Sequence, residues 1–73
     1  MALEEVHSPV SGTIWKLEKA VGDQVTSTED ILIVESMKME IGVQSPKNGK
    51  LVEFKLAEGD AVDEGDVLAI IEV

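Results

Sequence analysis

The chain has no cysteine, no arginine, a single histidine, and no apolar run approaching the length of a membrane span. The lack of cysteine excludes a disulfide staple, a thiolate metal site and a thiol nucleophile, and leaves the redox compartment unconstrained. His7 alone offers too few ligands for a transition metal. It adjoins Ser8 at the end of a strand-like run, which gives a Ser–His nucleophile no specific support. The glycines are isolated turn glycines, so there is no phosphate-cradling loop. The acids from Asp60 to Asp66 lack the spacing of a calcium loop. No segment sustains a helical period. Met1 to Val6 has neither the basic start nor the apolar stretch of a secretory signal, and the expectation is a cytoplasmic protein.

What the chain has in excess is acid. Fifteen carboxylates face six lysines, for a formal net charge of −9. A surface of that sign releases no counterions from nucleic acid or an anionic membrane, so neither is an expected partner. The acids are scattered or paired, unlike a disordered acidic tail. With 44% hydrophobic residues the chain can fold. Its 73 residues suit one domain, 1–73, with a small core.

The pattern that organises the chain is a repeat. Shifted by 37 residues, 1–36 fall on 38–73 without a gap, and ten of the 36 pairs are identical. Chance gives roughly two or three at ordinary composition. The identities are mostly punctuation, which a repeated backbone requires. Ser-Pro-x-x-Gly opens a turn at Ser8–Gly12 and at Ser45–Gly49, and Gly-Asp-x-Val recurs at Gly22–Val25 and Gly59–Val62.

Between the turns lie β-type runs. Thr13–Leu17 corresponds to Lys50–Leu56, and Asp30–Val34 to Val67–Ile71. The latter two are almost wholly apolar and suit strands covered on both faces. Glu4–His7, Met39–Gln44 and short pieces near Val25 and Val62 bring the total to about eight. Simple alternation puts Trp15, Leu17, Val52, Phe54 and Leu56 on one buried inner face, with Lys16, Glu53 and Lys55 outward. The expected fold is all-β, a small antiparallel barrel or sandwich with pseudo-two-fold symmetry. The two halves then join at Lys38, whose repeat equivalent is Met1, so Lys38 is expected at the end of the molecule remote from the termini.

Lys38 lies in Glu35-Ser36-Met37-Lys38-Met39-Glu40, between the aliphatic runs Ile31–Val34 and Ile41–Val43. That is the pattern of a hairpin tip. Alternation sets Met37 and Met39 on one side and Lys38 on the other. Met37 suits either core filling or recognition by another protein, and Met39 suits recognition better. Glu35 and Glu40 should hold the lysine charged by local attraction. Such a lysine does not activate itself; it reacts when a partner presents an activated acyl group and removes its proton. It is a substrate for modification, so no residue of this chain is assigned a catalytic role.

Glu35-Ser36-Met37-Lys38-Met39, with both Ser-Pro-x-x-Gly turns, both Gly-Asp-x-Val turns and Gly65, resembles biotin carboxyl carrier domains over the whole chain. It also resembles lipoyl domains, which share the fold but usually carry Asp-Lys-Ala at the lysine. The resemblance implies a flattened barrel-sandwich of two four-stranded antiparallel sheets. It implies biotin covalently on Lys38, added by a biotin protein ligase. The biotin would shuttle a carboxyl group between biotin carboxylase and carboxyltransferase components. Glu35, Met37 and Met39 would be the ligase's recognition residues. The alternatives are lipoate on Lys38, added by a lipoate ligase for a dehydrogenase complex, and an unmodified interaction module. Two departures stand out: Thr28 replaces the glycine that its repeat copy Gly65 retains, and Ser36 replaces alanine. The stretch Val10–Val25 has no room for the protruding insertion of the bacterial acetyl-CoA carboxylase carrier subunit. With Met1 and Val73 as its ends, the chain resembles a free-standing attachment protein.

Overall fold

The computed structural model describes residues 2–73; Met1, the repeat equivalent of Lys38, lies outside them. Eight strands follow in order: β1 (Leu3–His7), β2 (Gly12–Leu17), β3 (Gln24–Val25), β4 (Asp30–Ser36), β5 (Met39–Gln44), β6 (Gly49–Phe54), β7 (Ala61–Val62) and β8 (Val67–Glu72). They form two four-stranded sheets, β1-β8-β6-β3 and β5-β4-β2-β7, with every pairing antiparallel. A shift of 37 residues turns β1, β2, β3 and β4 into β5, β6, β7 and β8. It therefore exchanges the two sheets strand for strand.

The hydrogen bonds repeat with the sequence. Ile14 N–H donates to Asp60 O and Leu51 N–H to Asp23 O, at 2.8 and 2.9 Å. Gly22 and Gly59, at φ of 99° and 93°, occupy matching turns that suit glycine. Each turn is closed by an aspartate: Asp23 Oδ2 accepts from Ala20 N–H and Asp60 Oδ2 from Ala57 N–H, both at 2.9 Å. Ser-Pro-x-x-Gly has a physical reason as well. Ser8 and Ser45 are buried, and their hydroxyls donate to Val10 O and Lys47 O across the turn. A Cβ on Gly12 would strike the carbonyl of Glu35, and one on Gly49 the carbonyl of Glu72, so each glycine lets one strand start against the end of another.

The departure at Thr28 changes a turn. Gly65 sits at φ of 90°, whereas the positive-φ residues outside glycine are Met37 and Lys38 alone among the described residues. Thr26–Glu29 therefore bends without a left-handed residue, yet both turns keep the same bond: Glu29 N–H to Thr26 O and Asp66 N–H to Asp63 O. Lys19 donates to Glu29 at 3.0 Å, and Thr26 adds to that, so the Glu29 carboxyl stays below the usual carboxylate range.

The core lies between the sheets and draws on all eight strands, with Ile14, Leu32 and Val34 from one sheet meeting Leu51, Leu68 and Ile71 from the other. Here simple alternation fails. Ile14 and Leu51 are 1% and 0% exposed, while Trp15 is 47% exposed and Val52 only half-buried. The ladders slip between Ile14 and Lys16, and between Leu51 and Glu53. Trp15 and Val52 are thus the extra residues of two matching bulges, which change the strand phase. Beyond each bulge the inward positions become Leu17 and Phe54. These two, with Leu56, are partly buried and packed against the core. The expectation of one buried face holding Trp15, Val52, Phe54 and Leu56 is corrected accordingly.

Candidate functional site

β4 and β5 form the longest hairpin, paired from Asp30↔Gln44 to Ser36↔Met39. Two residues remain for the loop, Met37 at φ of 52° and Lys38 at φ of 65°. Two consecutive left-handed residues in a two-residue loop are the conformation that matches strand twist, and Asn-Gly is its usual sequence. Met-Lys instead carries a cost of about 1 kcal/mol per residue. The long paired strands hold the loop in place. The alternation expected around Lys38 does not apply, because Met37 and Lys38 are loop partners and Met39 already belongs to β5.

Met37 is 92% exposed and Met39 63% exposed, so neither fills the core. Lys38, Glu35 and Glu40 are exposed too. Glu35 and Glu40 are direct cross-strand partners. Neither joins an ion pair with Lys38, so the expected local attraction is not a contact. Lys16, Lys19, Lys47 and Lys55 each pair with a carboxylate; among the described residues Lys38 and Lys50 do not. Of these two, Lys50 is held within a ladder, against Glu72 and Gln24, and Lys38 stands at a tip.

Lys38 is remote from the paired residues Ala2 and Val73. The Asp30/Gln44 end of the hairpin leads into the Ser45–Asn48 turn, where Lys47 Nζ contacts Glu4 of β1 at 3.0 Å. Next to Glu4, Leu3 pairs with Glu72, and Ala2 and Val73 exchange backbone hydrogen bonds. From that end β4 runs away for seven residues, roughly 20 Å, in a body whose longest extent is 36 Å.

His7 and Ser8 do not form a catalytic pair. His7 Nδ1 lies 2.9 Å from Gly65 O and Nε2 lies 3.3 Å from Glu5, while the Ser8 hydroxyl is used in its turn. The side chain that sequence reasoning misplaced, and the structure brings forward, is Trp15. Its signal was the adjacent pair Ile14-Trp15 followed by Leu17, repeated as Leu51-Val52 followed by Phe54: two neighbouring apolar residues where alternation allows one.

The molecule is thus a sandwich of two four-stranded sheets that the repeat exchanges, with one unpaired lysine at a tight hairpin tip. The family model described as "Biotin-requiring enzyme" matches residues 4–71, and the chain belongs to this biotin/lipoyl attachment family. Urea amidolyase of Saccharomyces cerevisiae is 42% identical over 69 residues, which cover 94% of this chain and 4% of that protein. The biotin/lipoyl attachment protein of Bacillus subtilis is 44% identical over 59 residues, 81% of each chain. The crystal structure of Kluyveromyces lactis urea carboxylase matches with a TM-score of 0.93 and 36% identity, over 99% of this chain and 6% of that one. The chain thus spans a small fraction of the multidomain relatives and most of the attachment protein.

Proposed function

We propose that Lys38 is the attachment site for biotin and that the domain is a non-catalytic carrier, moving a carboxyl group between the biotin carboxylase and carboxyltransferase active sites of a carboxylase system. The observation that carries this is an exposed, unpaired lysine at the tip of a rigid two-residue hairpin, within Glu35-Ser36-Met37-Lys38-Met39. The site fits the group: nothing among the described residues encloses the amine, and a ligase can reach it directly. In attachment, Nζ attacks the carbonyl carbon of an acyl group that a biotin protein ligase presents as a mixed anhydride. The C–N bond forms, the anhydride C–O bond breaks, its electron pair leaves with the leaving group, and the proton passes to a base on the ligase. Attached biotin supplies the atom that takes up and releases the carboxyl group. The protein's part is to hold the amine in one place, which lowers the ordering cost of docking. Met37 and Met39 add exposed, flexible apolar contact on both sides of the lysine, and Glu35 adds charge.

The test is intact mass after incubation with biotin protein ligase, biotin and ATP, beside a parallel reaction with lipoate ligase and lipoate. Wild type is expected to gain one biotin and Lys38→Arg none, because a guanidinium stays protonated. Labelling of the folded Lys38→Arg chain at another lysine would overturn the site. Lipoate taken up in preference to biotin would overturn the choice of group.

A further inference from the structure

The repeat gives each outer sheet face a comparator within the same molecule. On the hairpin sheet, Trp15 stands exposed at its bulge, beside the outward, half-buried Ile33 of β4. This face also carries Lys16, the cross-strand partner of Ile33, which lies 3.9 Å from Glu18, and three further carboxylates. Asp30 lies over Gly42, where a Cβ would collide with its carboxylate. Glu35 and Glu40 face each other across the ladder, an arrangement of like charges that weakens a sheet. Among the described residues none of the three joins an ion pair.

The equivalent face of the other sheet has Val52 where Trp15 stands. There Lys55 pairs with Glu53 at 3.1 Å, as their repeat equivalents Glu18 and Lys16 do at 3.9 Å on the hairpin sheet, and His7 pairs with Glu5 at 3.3 Å. Glu72, the equivalent of Glu35, has Lys50 as its cross-strand partner. The fold makes these two faces alike, and the residues make them differ. The face that adjoins Lys38 shows an indole and sets Glu35 against Glu40; the other shows aliphatic carbon in the indole's place and sets Glu72 against Lys50.

We propose that the outer face of β2, β4 and β5 is the docking surface for the ligase that acylates Lys38. Its complement on the ligase is a basic surface with an apolar slot for Trp15. This rests on Lys38 being the attachment site. The ligase is the occupant because it must bring its reacting carbonyl to Nζ itself, with no arm interposed. A specific contact of about 800 Å² per partner spans roughly 30 Å. Trp15 bulges between the Ile14–Val34 and Lys16–Ile33 pairs, four to five residues before Lys38 on β4, hence roughly 15 Å along the strand and inside such a footprint. A buried tryptophan is a characteristic binding anchor, and unpaired rim acids steer encounter with a basic partner.

The experiment measures kcat/KM for biotin transfer by a purified biotin protein ligase, at a series of NaCl concentrations, with circular dichroism on each variant. Trp15→Ala is expected to lower kcat/KM at least tenfold, mainly through KM, and Trp15→Phe to recover most of it. Val52→Ala, at the equivalent position, is expected to match wild type. The triple variant Asp30→Asn, Glu35→Gln, Glu40→Gln is expected to lose most of the decline of kcat/KM with salt. Equal behaviour of folded Trp15→Ala and Val52→Ala, or a triple variant with the wild-type salt dependence, would overturn the docking surface. If Trp15→Ala does not fold, Trp15→Phe and the triple variant decide. Failure of the attachment reading shows separately, as a wild-type chain that gains no biotin mass.

Discussion

Leu51 and Val52 are neighbours in sequence and differ in fate: one has no solvent exposure and the other stays partly exposed. Leu51→Ala should therefore cost about 3 kcal/mol, from lost transfer energy and the cavity left behind. Phe54→Ala should cost less than Leu51→Ala despite the larger side chain, because Phe54 is already partly in water. Urea denaturation of the two variants checks this, and a larger loss for Phe54→Ala would mean the bulge does not set the phase. This is where the sequence was hardest to read. Ile14-Trp15 and Leu51-Val52 are apolar pairs, and either member could serve as the inward residue. Only the ladder slip, a property of the backbone, decides between them. Lys38 was legible because its two flanking runs pair and the lysine falls in what remains.

At the scale of elements, the turns were read correctly because glycine and aspartate there do work no other residue does: positive φ, close approach, and capping of a neighbour's N–H. The β4–β5 loop obeys no such rule, since Met37 and Lys38 adopt φ values that neither prefers. Its conformation is imposed by the strands. Met37→Asn should accordingly stabilise the domain by about 0.5–1 kcal/mol, as the first loop position of such a hairpin favours asparagine. Thermal unfolding tests it; a lowered midpoint would mean that Met37 contributes packing that its 92% exposure denies. The same variant, measured for biotin transfer, separates the proposed contact of Met37 with the ligase from the shape of the loop.

For the whole molecule, the excess of acid is a load as well as an identity. Fifteen carboxylates share a small surface with six lysines, four of which are already paired. The remaining acids repel one another, and salt screens repulsion over about 10 Å at 0.1 M. The melting temperature should therefore rise by roughly 5 °C between 10 mM and 0.5 M NaCl, as scanning calorimetry would show; a fall would mean that attractive pairs outweigh the repulsion. The exchange of sheets by the repeat was legible from ten identities. What the repeat could not tell is how the two outer faces differ, since that lies in the positions where the copies disagree.

The side-by-side pairing of Ala2 with Val73 has a mechanical consequence. Whatever polypeptide continues from either position leaves from one spot, at the foot of a stiff body. The domain then behaves as a lever whose fulcrum is the Ala2–Val73 pair and whose working point is the hairpin. Each radian of rotation about that fulcrum sweeps the lysine through an arc of roughly 20 Å, the length of β4. A tether of modest freedom is thus amplified by the rigidity of the sheets. Biotin attached to Lys38, as proposed above, would be the second, smaller stage of a two-stage crane.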